Sequence, residues 1–206
     1  MLTRRTVLIM AASLVLVLGG PGAMRQGWAQ RGEQAVAFVK TTSGRLTAIV
    51  NSDASPQDKR LRLQEVIDSA VDVDDIARFC LGRFWRIATP DQQSLYLPLF
   101  RKMLVTEIAD HLGEYRGVQV AMGLARTSED TEIVITMVSR PKNPTTQVDW
   151  VVSTTTGAPK IVDLLAGGTS MRLTQSADFG AYLSRHQYSV ADLIEAMRQQ
   201  IAQGKP

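Results

Sequence analysis

Apolar positions change period once along this chain, from about 3.6 residues to 2, and that change divides it. Val36, Val39, Leu46, Ile49 and Val50 recur at helical spacing, which predicts an amphipathic helix up to a break at residues 51–55. Ser55-Pro56-Gln57-Asp58 supplies an N-cap, a proline for the first turn and an acid for the positive helix end. The next helix carries Leu61, Leu63, Val66, Ile67 and Ala70. After Asp72, the series Val73, Ile76, Ala77, Cys80, Leu81 and Phe84 forms a nearly unbroken helical stripe. Thr89-Pro90-Asp91-Gln92 reads as a capping box with proline at the first helical position. A helix with Leu97, Phe100, Leu104 and Ile108 on one face is expected to follow, kinked or delayed in its start by Pro98.

Beyond Gly113 and Gly117 the alternation is strand-like. Val118, Val120, Met122 and Leu124 form one set, Ile133, Ile135 and Met137 a second, and Val148, Trp150 and Val152 a third. A shorter apolar run, residues 161–165, comes next. Charged or Gly/Pro-rich breaks at residues 128–130, 141–144 and 156–159 separate them, which predicts an antiparallel meander. A helical tail holds Phe179, Tyr182, Leu183, Val190, Leu193, Ile194, Met197 and Ile201. Helices followed by consecutive strands imply an α+β domain, with N-terminal helices packed on one face of a curved antiparallel sheet.

The first residues bear on compartment. Arg4 and Arg5 precede an apolar run from Val7 to Leu18, breakers follow at residues 19–22, and Gly27-Trp28-Ala29 places small residues where a signal peptidase reads. This layout predicts a cleaved signal peptide over 1–29 and a single domain over 30–206, exported to the periplasm. The competing reading is an uncleaved anchor, for which the run is short against the ~20 apolar residues of a membrane span. Thr3-Arg4-Arg5 also fits a twin-arginine signal, so the Sec and twin-arginine routes both stay open. Losing Arg4, Arg5 and Arg25 brings basic and acidic residues level at 20 each. The whole chain's formal charge of +3 is therefore no argument for a nucleic-acid partner.

Chemistry-bearing residues are sparse. Glu107 and His111 share a helix face near Asp110 and Glu114, yet two histidines, His111 and His186, are too few for a transition-metal site. No nucleophile elbow, phosphate loop or CxxC is present. Gly167-Gly168-Thr169-Ser170 reads as a short turn with no helix directly after it. Asp163 in a strand is a lone acid of the kind small cone-shaped isomerases use, but no partner acid or tyrosine is set by the sequence. Cys80 falls on an apolar face and reads as a buried, inert thiol. These residues imply no catalytic set, no metal and no cofactor. Apolar material, Met103, Met122, Met137, Met171 and Met197 included, serves equally for a filled core or for a cavity.

The block Phe79-Cys80-Leu81-Gly82-Arg83-Phe84-Trp85-Arg86-Ile87-Ala88-Thr89-Pro90-Asp91-Gln92 resembles the LGRYWR-x-A-TPEQ segment of the MlaC-type periplasmic lipid-shuttle family, also called toluene-tolerance auxiliary proteins. Lys160-Ile161-Val162-Asp163-Leu164, Gly168-Thr169-Ser170-Met171 and Ser176-Ala177-Asp178-Phe179 resemble its second block. Pro159 replaces the usual Trp and Thr174-Gln175 the usual Tyr-Arg, which keeps open the hopanoid-associated HpnM branch. The resemblance implies a cone-like (NTF2-like) fold around an apolar cavity that carries phospholipid or hopanoid between inner and outer membranes. Implied partners are an inner-membrane ABC transporter complex with an MCE domain and an outer-membrane lipid acceptor complex. Expected cavity lining is Trp85, Phe100, Leu104, Ile135, Val152, Leu164 and Met171, on helix and strand faces that must meet to enclose a tail. Two other readings stand beside it, a small cone-fold isomerase or hydrolase and a ligand-free periplasmic adaptor.

Overall fold

The computed structural model describes residues 21–128 and 130–203, with side chains from residue 30 onward. The core of the expected leader, residues 1–20, lies outside the described residues. The described residues form seven helices and five strands in the order α1 (Pro21–Asn51), α2 (Pro56–Ala70), α3 (Val73–Leu81), α4 (Phe84–Ile87), α5 (Pro90–His111), β1 (Gln119–Ser128), β2 (Thr131–Ser139), β3 (Thr146–Ser153), β4 (Lys160–Ala166), β5 (Thr169–Ser170), α6 (Met171–Arg185) and α7 (Val190–Gln203). A 3-10 turn at Leu112–Tyr115 joins α5 to the sheet. The strands form one antiparallel sheet in sequence order, the meander that the alternation predicts.

The predicted helix starts are built as the cap chemistry requires. The Ser55 hydroxyl accepts from the Asp58 backbone N–H at 3.1 Å, with Pro56 opening α2. At α5 the box is reciprocal: Gln92 N–H donates to Thr89 Oγ1 at 3.2 Å and Thr89 N–H to Gln92 Oε1 at 3.0 Å. Satisfying these otherwise unpartnered donors fixes both starts to the residue. α5 runs without interruption through Pro98, so its start is not delayed. Its buried stripe is Tyr96, Phe100 and Met103, while Ile108, expected inside, is 38% exposed. The stripe from Val73 to Phe84 is interrupted by Gly82 at φ +56°, a conformation glycine takes without a Cβ clash. There α3 ends and α4 begins. A helix does follow Ser170 directly, contrary to expectation: Ser170 Oγ accepts from Leu173 N–H at 3.1 Å and caps α6.

Two apolar layers result. In the first, α2, α3, α5, α6 and α7 enclose a helical cluster centred on Tyr96, Phe100 and Phe179, whose rings meet at 5.9 to 6.3 Å in tilted or edge-on pairs. The Tyr96 hydroxyl donates to the Ala77 carbonyl at 2.8 Å inside it. In the second, α1 lies across one face of the sheet and closes on Val134, Trp150, Val152 and Ile161, with Ala70 of α2 at the side. Register shifts between Met122 and Ala125 and between Val151 and Val152 bend the sheet. The first also flips the phase of β1, which leaves Leu124 80% exposed.

Candidate functional site

The face of the sheet beneath α1 follows from register. Val134 pairs with Ala125 on one side and Trp150 on the other, Glu132 with Thr127 and Val152, and Trp150 with Leu164. Side chains of cross-strand partners share a face, so Ala125, Thr127, Glu132, Val134, Trp150, Val152 and Leu164 all look toward α1. From above, Ala35 and Val39 of α1 are fully buried against them, with Val36, Phe38 and Leu46 at the edges. The polar groups in this layer are partnered. Trp150 Nε1 donates to Thr136 Oγ1 at 2.9 Å, and that hydroxyl donates to the Val148 carbonyl at 3.0 Å.

The layer is not filled to its end. Toward the β1–β2 turn a cavity of about 630 Å³ opens between Gly32, Val36 and Ala37 of α1 and Ala125, Thr127 and Glu132 of the sheet. That volume falls in the range of roughly 300–1,000 Å³ usual for small-molecule sites. Val36, Ala37 and Ala125 give it an apolar wall, and Glu33 and Lys40 stand at the rim. Glu132 is 3% exposed within it; Thr127 donates to its Oε2 at 2.8 Å and Arg31 Nε lies 3.9 Å from its Oε1. The arrangement offers apolar surface for a chain and charges of both signs for a polar end.

The structure does not bring the seven expected lining residues together. Val152 and Leu164 lie in the layer under α1. Trp85, Phe100 and Leu104 belong to the helical cluster. Ile135 points away from α1, because β2 turns Glu132, Val134 and Thr136 inward at 3%, 0% and 0% exposure. Met171 opens α6 and is exposed. The physical reason is the choice of covering helix. The inward faces of β2 and β3 lie against α1, whereas Trp85, Phe100 and Leu104 pack in the helical cluster, which meets the sheet at β4 through α3 and α6. Glu132 and Ala125 were not singled out by the sequence, since a short strand carrying both Ile and Glu gives no face by alternation alone, and Val36 was read only as part of a helical stripe.

Other chemically interesting residues are engaged elsewhere. Asp163 accepts from Leu164 N–H at 2.8 Å, Arg172 N–H at 3.1 Å and the Ser170 hydroxyl at 2.5 Å, which clasps β4 to the start of α6. Cys80 is 2% exposed, and burial, with the Asp163 carboxylate nearby, pushes its thiol up to about 12. A second cavity of about 610 Å³ between α5 and α7 is lined by Glu107, Asp110, His111, Tyr182 and Gln200 among others. Burial raises the Glu107 carboxyl there, and Gln200 Nε2 donates to it at 3.2 Å. His111 Nδ1 meets Glu114 Oε1 at 2.8 Å, and His186 stacks on Tyr182 at 3.9 Å.

Comparison with known proteins follows the same architecture. The family model described as MlaC protein matches residues 40–199. Among solved structures, a phospholipid-binding protein from Ralstonia solanacearum, determined in complex with a phospholipid, superposes with a TM-score of 0.71. Sequence identity is 23%, and the match covers 82% of this chain and 98% of the other.

Proposed function

The chain belongs to the MlaC protein family, and from that premise we propose that it is a periplasmic lipid carrier whose cargo lies between α1 and the sheet. The observation that carries the reading is the apolar layer under α1 that opens into a cavity of about 630 Å³. A fold shared with a phospholipid-binding protein supports a two-tailed lipid as cargo; hopanoid remains the alternative cargo that Pro159 and Thr174-Gln175 keep open. Each methylene withdrawn from water contributes about 0.8 kcal/mol, so sheltering acyl tails offsets their removal from a bilayer with no covalent step. Val36, Ala37 and Ala125 would hold the tails, and Arg31 and Lys40 would meet the headgroup near the buried Glu132.

Cleavage after Ala29 would leave α1 from Gln30 onward and retain every α1 residue that lines the cavity. The carrier would load from or unload to an inner-membrane ABC transporter complex bearing an MCE domain and an outer-membrane lipid acceptor. Asp163, with its oxygens taken up by α6 and Ser170, argues against the isomerase reading. The test is organic extraction of detergent-free periplasmic protein with lipid mass spectrometry. Near-stoichiometric phospholipid or hopanoid is expected. Extracts at background would contradict the carrier and favour the adaptor.

A further inference from the structure

A second surface shares no residue with the cavity under α1. Arg78, Arg83 and Arg86 fall within nine residues of chain around the α3–α4 junction, and Arg185 closes α6 three residues before Tyr188. The link between the two segments is direct: the Phe84 and Tyr188 rings stack at 5.8 Å, with the Arg83 guanidinium 4.9 Å from the first ring centroid and 5.8 Å from the second. Arg78 lies 5.4 Å over Trp85. Among the described residues, none of these four arginines is ion-paired, whereas Arg101 is held by both Asp68 and Asp74 at 2.6 and 3.1 Å. Stacking on aromatic faces sets the plane of a guanidinium and leaves its edge donors free for phosphate oxygens.

Apolar side chains stand out among these charges. Ile87 is 67% exposed and Tyr188 52%. Tyr188 is held there by its backbone: Gln187 and Tyr188 take φ of 53° and 60°, and Tyr188 N–H donates to the Leu183 carbonyl at 2.8 Å. Two successive non-glycine residues in the left-handed region are uncommon and cost energy that surrounding contacts must offset. A bilayer surface answers both features, with phosphates for the cations and an interfacial layer where tyrosine and an aliphatic side chain settle.

We propose that this face docks the protein on an anionic phospholipid membrane surface, with Arg78, Arg83, Arg86 and Arg185 on the headgroups and Ile87 and Tyr188 in the interfacial layer. The proposal is independent of which lipid the cavity carries. The exported protein is mixed with vesicles of phosphatidylcholine alone or of phosphatidylcholine with phosphatidylglycerol, and co-sedimentation is followed at low and high salt. Retention is expected on the anionic vesicles and should fall as salt rises. Arg83→Gln and Arg86→Gln should each weaken it about 5-fold, the usual effect of one cation at an anionic surface, and Ile87→Asp should weaken it too. Among the described residues the Arg86 and Ile87 side chains make no hydrogen bond, ion pair or ring contact, so their variants should keep the wild-type melting point and lipid content. Equal retention on neutral vesicles, no retention on either kind, or wild-type binding by the Arg86→Gln and Ile87→Asp variants would overturn the proposal. Lipid-free protein that still docks would count against the carrier reading only.

Discussion

Tryptophan substitutions at two positions in the same layer separate hollow space from packed space. Ala125 borders the cavity and is exposed to it, whereas Val152 is 0% exposed among Ala35, Val39, Val134, Trp150 and Ile161. An indole carries roughly 150–250 Å² of surface. At position 125 that ring has a space of about 630 Å³ to enter, so Ala125→Trp should change stability by less than about 0.5 kcal/mol, the scale of a surface substitution. At position 152 it must displace close-packed neighbours, at about 1–3 kcal/mol. With about 2–4 °C per kcal/mol for a domain of this size, Val152→Trp should melt about 2–12 °C lower. Melting is measured on delipidated protein, so that stabilisation by bound cargo drops out, and lipid per protein is measured on the protein as purified. Ala125→Trp should melt like the wild type and carry much less lipid. Full lipid loading in that variant would refute the cavity as the cargo site. A melting point as low as that of Val152→Trp would refute its being hollow.

Tyr96→Phe removes the hydroxyl that donates to the Ala77 carbonyl at 2.8 Å in a fully buried position; denaturant unfolding should show a loss of about 1 kcal/mol, and an unchanged midpoint would contradict that bond. Cys80, with a thiol pushed up to about 12 by burial, should ignore a thiol reagent at pH 8 in the native protein and react fully once unfolded, and rapid native labelling would contradict its burial. Burial raises the Glu107 carboxyl, so the folded state keeps that proton to higher pH than the unfolded chain, and stability falls as pH climbs through the carboxylate range. Glu107→Gln should match the wild type below about pH 4 and exceed it at neutral pH, and equal melting points at both pH values would contradict this.

The helices were legible because their signals are local. Ser55-Pro56 and Thr89-Pro90-Asp91-Gln92 carry their own cap chemistry, and the Val73 to Leu81 stripe needs only helical spacing. The meander was legible for the same reason, since turn residues punctuate it. What failed was the side on which each strand is covered. In β2 both alternating sets hold apolar residues, and the set with Glu132 and Thr136 goes inside because Thr127, Trp150 and the Val148 carbonyl satisfy them there. Those partners sit on other strands and cannot be read from β2. In β1 one register shift exposed Leu124 while Ala125 turned toward α1. The cavity under α1 was not legible for the same reason, because a residue joins a lining only through the element that covers it, and the cover of β2 and β3 by α1 is set by tertiary packing.

The position of the cargo can be measured directly. A phospholipid with a photoreactive group near the end of one acyl tail is loaded into the purified protein, irradiated, and the labelled residues are mapped by peptide mass spectrometry. The account predicts label on residues that face the space between α1 and the sheet, Val36, Ala37 and Ala125 above all. Label concentrated on Phe100 and Leu104 in the helical cluster, or on Ile135 on the far face of the sheet, would contradict it.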